Sequence, residues 1–170
     1  MNTQIFNWIH GWAVQYKFLD FLGIFFANYL SYILIVAFVA LVFLEKNWRN
    51  RLYQLFFGLL SVMLARGVMV EVIRFFYDSP RPYIALVFKP LIDLEVTNSF
   101  PSGHAAAFFA LTTATLLFNH KWGYYFFAGA ILMGWARVFV GAHWPTDILG
   151  GMAVGALSAF MVWKFLPKII

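Results

Sequence analysis

Residues 21–44 read FLGIFFANYLSYILIVAFVALVFL, twenty-four consecutive positions without a charged side chain. A helix needs about 20 apolar residues to cross the hydrocarbon core of a bilayer, so this stretch predicts a transmembrane helix. The charged run EKNWRNR at 45–51 ends it. Over all 170 residues the chain is 63% hydrophobic, 21% aromatic and only 11% charged. This composition excludes a soluble globular protein and indicates an all-α integral membrane protein.

Further apolar stretches follow the first one. Together they predict about five transmembrane helices in a compact bundle, over residues 21–44, 52–77, 102–118, 124–140 and 147–166. The connections at 119–123 and 141–146 are short, which makes successive helices antiparallel neighbours. We therefore expect a single domain over residues 1–170.

The segment ahead of the first span differs in character. Residues 5–14 mix aromatic and polar side chains and lack both a basic leader and a small-residue cleavage site. This pattern favours an interfacial amphipathic helix within residues 1–19, with the bundle over 20–170, rather than a signal peptide.

Basic residues in the connections indicate the orientation of the chain. Under the predicted span count, one side carries Lys46, Arg49, Arg51, Lys121, Lys164 and Lys168. The positive-inside rule places that side in the cytoplasm, so residues 78–100 and 141–146 face outward. The net charge of +5 is spread along connections rather than gathered in one stripe, which favours the membrane surface as a partner and excludes nucleic acid.

Small residues recur every four positions in the last span, at Gly151, Gly155 and Ala159. Such a stripe lets a neighbouring helix approach closely. We favour packing within one chain over a dimer face, and the oligomeric state stays open. The absence of cysteine excludes disulfides and thiolate chemistry.

The motif Pro101-Ser102-Gly103-His104 stands directly before an alanine run and predicts a helix N-terminus, because proline is favoured at the start of a helix. The free N–H groups of the first turn, the Ser102 hydroxyl and the helix dipole together form an anion site, with His104 at its rim. Taken alone, the motif is better explained as a helix cap.

A second motif surrounds His143. Pro145 starts another helix and places Asp147 in its first turn, where the carboxylate can accept a hydrogen bond from the His143 ring and leave the other ring nitrogen as a nucleophile. The ordinary alternative is a helix cap beside a hydrogen-bonded histidine. Two histidines and one aspartate could also ligate zinc. Three arginines at the same membrane face would repel a cation, so we expect no metal.

Those arginines are Arg74, Arg81 and Arg137. A guanidinium group can donate two parallel hydrogen bonds to two phosphate oxygens, and it stays positively charged. Most arginines at span ends extend their side chains toward lipid headgroups, which is called snorkelling. That explanation accounts for a single arginine better than for three arginines at one membrane face. Glu71 lies one helical turn from Arg74 and pairs with it or with Arg66; we favour a structural ion pair over a contact with substrate.

Together the three clusters resemble the type 2 phosphatidic acid phosphatases. That family's pattern is matched in spacing by Arg-x6-Arg-Pro at 74–82, Pro-Ser-Gly-His at 101–104 and Ala-Arg-x5-His-x3-Asp at 136–147. Arg74 replaces the family lysine and preserves its charge. Ala136 replaces a serine and removes one hydrogen-bonding group. The resemblance covers roughly the C-terminal 100 residues and implies a membrane-embedded, metal-independent phosphatase without a cofactor.

The resemblance also implies a role for each matched residue. His143 would attack phosphorus to give a phosphohistidine, with Asp147 orienting it, and His104 would protonate the leaving oxygen and then activate water. The phosphate oxygens would be held by Arg74, Arg81, Ser102, Gly103 and Arg137.

The small size, the interfacial helix and the outward site resemble bacterial undecaprenyl diphosphatases of the bacitracin-resistance type. That similarity implies a bacterial cytoplasmic membrane as the location and a polyprenyl diphosphate as the substrate. Phosphatidylglycerophosphate and phosphatidic acid are the alternative substrates. The alternative of another class is a non-enzymatic anion carrier or lipid-binding bundle, which would need no oriented His143 and no second histidine.

Overall fold

The computed structural model describes residues 1–94 and 98–166, and over these residues helices are the only regular secondary structure. In chain order they are α1 (Asn2–His10), α2 (Lys17–Leu44), α3 (Trp48–Phe76), α4 (Pro82–Ala85), α5 (Gly103–Phe118), α6 (His120–Phe139) and α7 (Pro145–Phe165). The predicted all-α class is confirmed. The five long helices α2, α3, α5, α6 and α7 occupy the five predicted spans in order.

Three of these helices are long and apolar enough to cross a membrane, namely α2, α3 and α7. Helix α5 is apolar but has only 16 residues. Helix α6 has 20 residues and carries polar groups at both ends. The number of crossings therefore stays a prediction, while the membrane-spanning character of the chain is clear.

Several helices begin earlier than predicted because an asparagine caps the first turn. The Asn47 side chain accepts a hydrogen bond from the backbone N–H of Arg49 at 2.9 Å, so α3 begins at Trp48 rather than at 52. The Asn119 side chain accepts one from Trp122 at 3.2 Å, so α6 begins at His120 rather than at 124. An asparagine oxygen satisfies an N–H that has no partner within its own helix, which stabilises these starts.

Helix α5 lies at the centre of the bundle and packs against α3, α6 and α7. Glycines allow the close approach to α7. A Cβ on Gly151 would lie 2.6 Å from the Ser102 carbonyl oxygen, and a Cβ on Gly155 would collide with the Ala106 carbonyl. The small-residue stripe therefore serves packing within one chain.

Helices α2 and α3 each contain a π-helical segment, at Phe25–Tyr29 and Met63–Met69. In a π-helix the backbone bonds run from residue i to i+5, which widens the turn and is frequent at functional sites. Each segment turns one polar residue, Asn28 or Arg66, toward the interior cavities described below.

Helix α1 docks onto the segment that joins α6 to α7. Its Phe6 is buried and its ring centroid lies 5.1 Å from that of Trp144. The Asn2 side chain exchanges two hydrogen bonds with Thr146, at 2.9 and 3.3 Å. His10 Nδ1 lies 2.7 Å from the Phe139 carbonyl oxygen. The N-terminal helix is therefore bound to the end of the bundle that carries His143.

The connections α2–α3 and α5–α6 lie together at the other end, where Glu45 and Asn119 line one small cavity. This grouping agrees with the predicted shared side for Lys46, Arg49, Arg51 and Lys121. Lys164 is in the last turn of α7, and Lys168 lies outside the described residues. Which side faces the cytoplasm stays a prediction.

Candidate active site

A polar cavity of about 340 Å³ opens at the end of the bundle that α1 covers. Six of the predicted site residues line it, namely Arg74, Arg81, Gly103, His104, Arg137 and His143. They come from two helix ends, the start of α5 and two connections, so the fold brings together residues up to 69 positions apart. A larger groove of about 650 Å³ between α3 and α7 is lined only by apolar residues and a glycine, and it offers no chemistry.

His143 lies in the connection between α6 and α7 and is 1% exposed. Its Nδ1 is 3.4 Å from Asp147 Oδ2, and the same carboxylate oxygen accepts hydrogen bonds from the Trp144 backbone N–H at 2.8 Å and from the Ser99 hydroxyl. A carboxylate only accepts hydrogen bonds, so Nδ1 carries the ring proton and Nε2 keeps its lone pair. This is the arrangement of an oriented neutral imidazole.

The pKa of His143 is lowered from its ordinary value to about 4, chiefly by burial. The guanidinium groups of Arg137 and Arg81 contribute to the lowering, while the hydrogen bond with Asp147 acts in the opposite direction. Burial has this effect because it disfavours the charged form. At neutral pH the ring is therefore unprotonated and available as a nucleophile.

Backbone carbonyls hold two of the three arginines at the cavity. Arg81 NH1 donates to the Ala142 carbonyl at 3.1 Å, and Arg74 NH2 donates to the Pro101 carbonyl at 3.1 Å. The Nε groups of Arg74 and Arg137 are buried and have no hydrogen-bond acceptor among residues 1–94 and 98–166. A buried donor without an acceptor costs about 1–3 kcal/mol. Phosphate oxygens would satisfy these donors.

The first turn of α5 presents His104 to the cavity, and His104 is the exposed residue of the PSGH motif. Ser102 caps the first turn of α5, and its contact with phosphate stays a prediction. It is fully buried, its hydroxyl accepts a hydrogen bond from the Ala105 N–H at 3.4 Å, and it is absent from the cavity wall. Its geometry is that of a helix cap, and the neighbouring Gly103 lines the cavity.

Glu71 contacts both of the arginines that the sequence offers as its partners, Arg66 and Arg74. Its Oε1 accepts a hydrogen bond from Arg66 NH1 and lies 3.8 Å from Arg74 NH1. The expected structural ion pair is therefore present. Arg66 and Glu71 are about half exposed, at 46% and 53% of their side-chain surface.

Several residues at the site were not assigned to it from the sequence, and Arg66 was considered only as a partner of Glu71. Ser99 and Asn98 contact other site residues: Ser99 donates to Asp147, and Asn98 Nδ2 donates to the Arg74 carbonyl at 3.0 Å. Asn28, Arg66 and Asp93 line the cavity itself. The sequence offered two signals for these residues. Asn98 and Ser99 form a polar pair just ahead of Phe100, and Asn28 is the one amide side chain within residues 21–44.

In the part of the chain that the structure describes, no three histidine, aspartate or glutamate side chains are close enough together to hold a metal ion. The zinc alternative therefore finds no complete ligand set within residues 1–94 and 98–166.

Comparison with known proteins gives this geometry its context. The family model described as the PAP2 superfamily matches residues 54–170. The chain belongs to the PAP2 superfamily. This PAP2 protein is 32% identical to undecaprenyl-diphosphatase BcrC of Bacillus subtilis (strain 168), over 97% of its own length and 84% of that protein. It is 31% identical to phosphatidylglycerophosphatase B of the same organism, over 84% of its length and 70% of the relative.

The fold agrees with a solved structure as well. LpxE of Aquifex aeolicus superimposes with a TM-score of 0.75 at 24% identity, covering 96% of this chain and 95% of that one. The PAP2 protein is therefore a bacterial membrane lipid phosphatase, a hydrolase. The alternative of a non-enzymatic anion carrier or lipid-binding bundle is wrong.

Proposed function

We propose that this PAP2 protein removes the terminal phosphate of a polyprenyl diphosphate, converting undecaprenyl diphosphate to undecaprenyl phosphate at the outer face of the bacterial cytoplasmic membrane. The observation that carries the proposal is the 32% identity to an undecaprenyl-diphosphatase over nearly the whole chain. The outer location is supported by the basic residues that share the other end of the bundle.

In the proposed mechanism His143 acts as the nucleophile. Its Nε2 lone pair attacks the terminal phosphorus, the bond from phosphorus to the bridging oxygen breaks, and the lipid phosphate leaves with that electron pair. Asp147 holds the proton on Nδ1 and stabilises the positive ring. A phosphohistidine results, which the polar cavity encloses.

His104 serves both halves of the reaction. It first donates a proton to the leaving oxygen, then removes one from a water molecule that attacks the phosphohistidine and releases inorganic phosphate. Arg74, Arg81 and Arg137 hold the three oxygens of the transferred group. Support comes from the unpaired Nε groups of Arg74 and Arg137, since fixed charges aimed at a phosphoryl group account for most of the catalysis in such transfers.

Phosphatidylglycerophosphate is the second candidate substrate, because a phosphatidylglycerophosphatase is a relative of nearly equal identity. Phosphatidic acid likewise ends in a phosphomonoester. The test is phosphate release by purified protein in the presence of a chelator, with the three lipids compared at equal surface concentration. The proposal expects the highest kcat/KM for the polyprenyl diphosphate, and a preference for either glycerolipid contradicts it.

The proposed roles of the two histidines predict different responses to the leaving group. His143→Ala should abolish turnover of every substrate, whereas His104→Ala should slow it by roughly 10²–10⁴. An activated aryl phosphate, whose leaving group needs little protonation, should restore part of the His104→Ala loss and none of the His143→Ala loss. Equal restoration of both variants would contradict the assignment.

A further inference from the structure

A second cavity of about 570 Å³ adjoins the polar one. The two share Asn28, Arg66, Gly103 and His104. Beyond these four, the second cavity is mostly apolar and aromatic, with walls that include Tyr29, Tyr32, Ile35, Val62, Phe108 and Leu111. The polar cavity is therefore continuous with a mostly apolar cavity, and the four shared residues lie at the junction between them.

The position of Arg66 at this junction is defined by its contact with α5. A Cβ added to Gly103 would lie 2.5 Å from Arg66 Nε and 3.1 Å from its Cζ. The guanidinium group is therefore packed against the first turn of α5, next to His104. Asn28 reaches the same junction from α2, and both residues belong to π-helical segments. Two independent helices thus each place a polar group at the boundary of the two cavities.

We infer that Arg66, assisted by Asn28, binds the phosphate that stays on the lipid and so selects a diphosphate over a monophosphate. This inference rests on the proposed function. The leaving oxygen must lie near His104, which lines both cavities, and the nucleophile and the leaving oxygen are roughly in line through phosphorus. With the terminal phosphate on Arg74, Arg81 and Arg137, the second phosphate falls at the junction and the lipid chain enters the apolar cavity.

The charge of Arg66 fits this task. When the bridging bond breaks, its electron pair stays on the lipid phosphate, which gains negative charge. An arginine beside that group stabilises the charge and reduces the need for a proton from His104. A monophosphate lipid has an alcohol as its leaving group and no second phosphate for Arg66 to hold.

The ion pair with Glu71 does not occupy Arg66 fully. Glu71 contacts NH1, while the guanidinium carries five N–H donors. Exposed ion pairs of this kind contribute little to stability, so the Glu71 contact is readily exchanged for a phosphate contact.

The test compares two lipids that differ by one phosphate, farnesyl diphosphate and farnesyl phosphate, in detergent. Arg66→Gln should lower kcat/KM for the diphosphate roughly 10–100-fold, the range of a lost charge-assisted hydrogen bond, and change it less than about threefold for the monophosphate.

Asn28→Ala should act in the same direction with a smaller loss. Arg66→Lys keeps the charge and should retain an intermediate preference, and it serves if the glutamine variant folds poorly. Arg49→Gln, at the opposite end of the bundle, is the matched control and should match the wild type on both lipids.

Two results would overturn the inference. One is an equal loss on both lipids, which would make Arg66 a general support of the site. The other is that Glu71→Gln reproduces the Arg66→Gln loss, which would mean that Arg66 acts only through its ion pair. A wild-type protein that prefers the monophosphate would instead contradict the proposed function itself, whatever the variants do.

Discussion

Replacing Asp147 by asparagine is the sharpest test of how the nucleophile is positioned. The substitution preserves shape and removes one negative charge. Asp147 Oδ2 accepts hydrogen bonds from the Trp144 N–H, from the Ser99 hydroxyl and, at a longer 3.4 Å, from His143 Nδ1. An asparagine oxygen at the same place still accepts them, so the protein should fold.

The magnitudes follow from those contacts. Two short bonds change from charge-assisted to neutral, which costs up to about 2 kcal/mol in the free energy of unfolding, or roughly 4–8 °C in Tm. In the comparable pair of serine proteases the same change lowers kcat by about 10⁴. The contact between His143 and Asp147 is long in this structure, so we expect a smaller loss, on the order of 10²–10³. The loss should appear in kcat, because Asp147 stabilises the charged ring of the intermediate rather than the bound substrate.

Ser99→Ala is the matched control. It removes one hydrogen bond to the same carboxylate and keeps the charge, so Tm should fall by a few degrees while kcat stays within about fivefold of the wild type. Phosphate release and thermal unfolding of the purified variants decide the matter. If Asp147→Asn keeps more than a third of the wild-type kcat, or if both variants lose the same factor, the carboxylate does not orient the nucleophile electrostatically.

Three further outcomes are expected. Arg74→Lys should keep much of the phosphatase activity, whereas Arg74→Gln should lose roughly 10²–10³ in kcat. If the double variant Arg74→Gln, Glu71→Gln recovers the kcat, Arg74 has only a structural role. A cysteine at Lys89 should react with an impermeant thiol reagent in intact cells and one at Asn119 should stay protected, and the reverse labelling would overturn the orientation. Because the pKa of His143 is lowered to about 4, its contribution to stability should decline by roughly 3 kcal/mol as the pH falls from about 6.5 toward 4. Unfolding of His143→Gln should lack this decline, and an identical pH profile for variant and wild type would contradict the burial argument.

The long helices could be predicted from the sequence because hydrophobic stretches ended by charged residues leave few alternatives in a bilayer. The meeting of the Arg74, His104 and His143 clusters at one end also followed from counting helices. Helix starts were less accurate, since Asn47 and Asn119 cap their helices several residues before the apolar stretch begins. A cap is a local hydrogen bond, and it does not alter the hydropathy pattern from which the helix starts were predicted.

Other parts of the site depend on geometry that a linear pattern does not contain. Asn28 and Arg66 reach the cavities from π-helical segments, which depart from the 3.6-residue period on which helical patterns rest. Ser99 is held near the end of α3 by a contact between residues distant in sequence, since its N–H donates to the Ser79 carbonyl at 2.8 Å. The Ser102 hydroxyl accepts the capping hydrogen bond from the Ala105 N–H, whereas its predicted contact with phosphate needs a bound ligand to test.

The docking of α1 has a practical side. Asn2 is joined to Thr146, in the first turn of the helix that carries Asp147, and Phe6 packs beside Trp144. An affinity tag fused ahead of Met1 would press on this contact and disturb the segment that holds the nucleophile, although it touches no reacting atom. Purification handles and fluorescent labels are better attached near Asn119, at the far end of the bundle. A loss of activity after N-terminal tagging would then reflect the attachment point rather than a damaged enzyme.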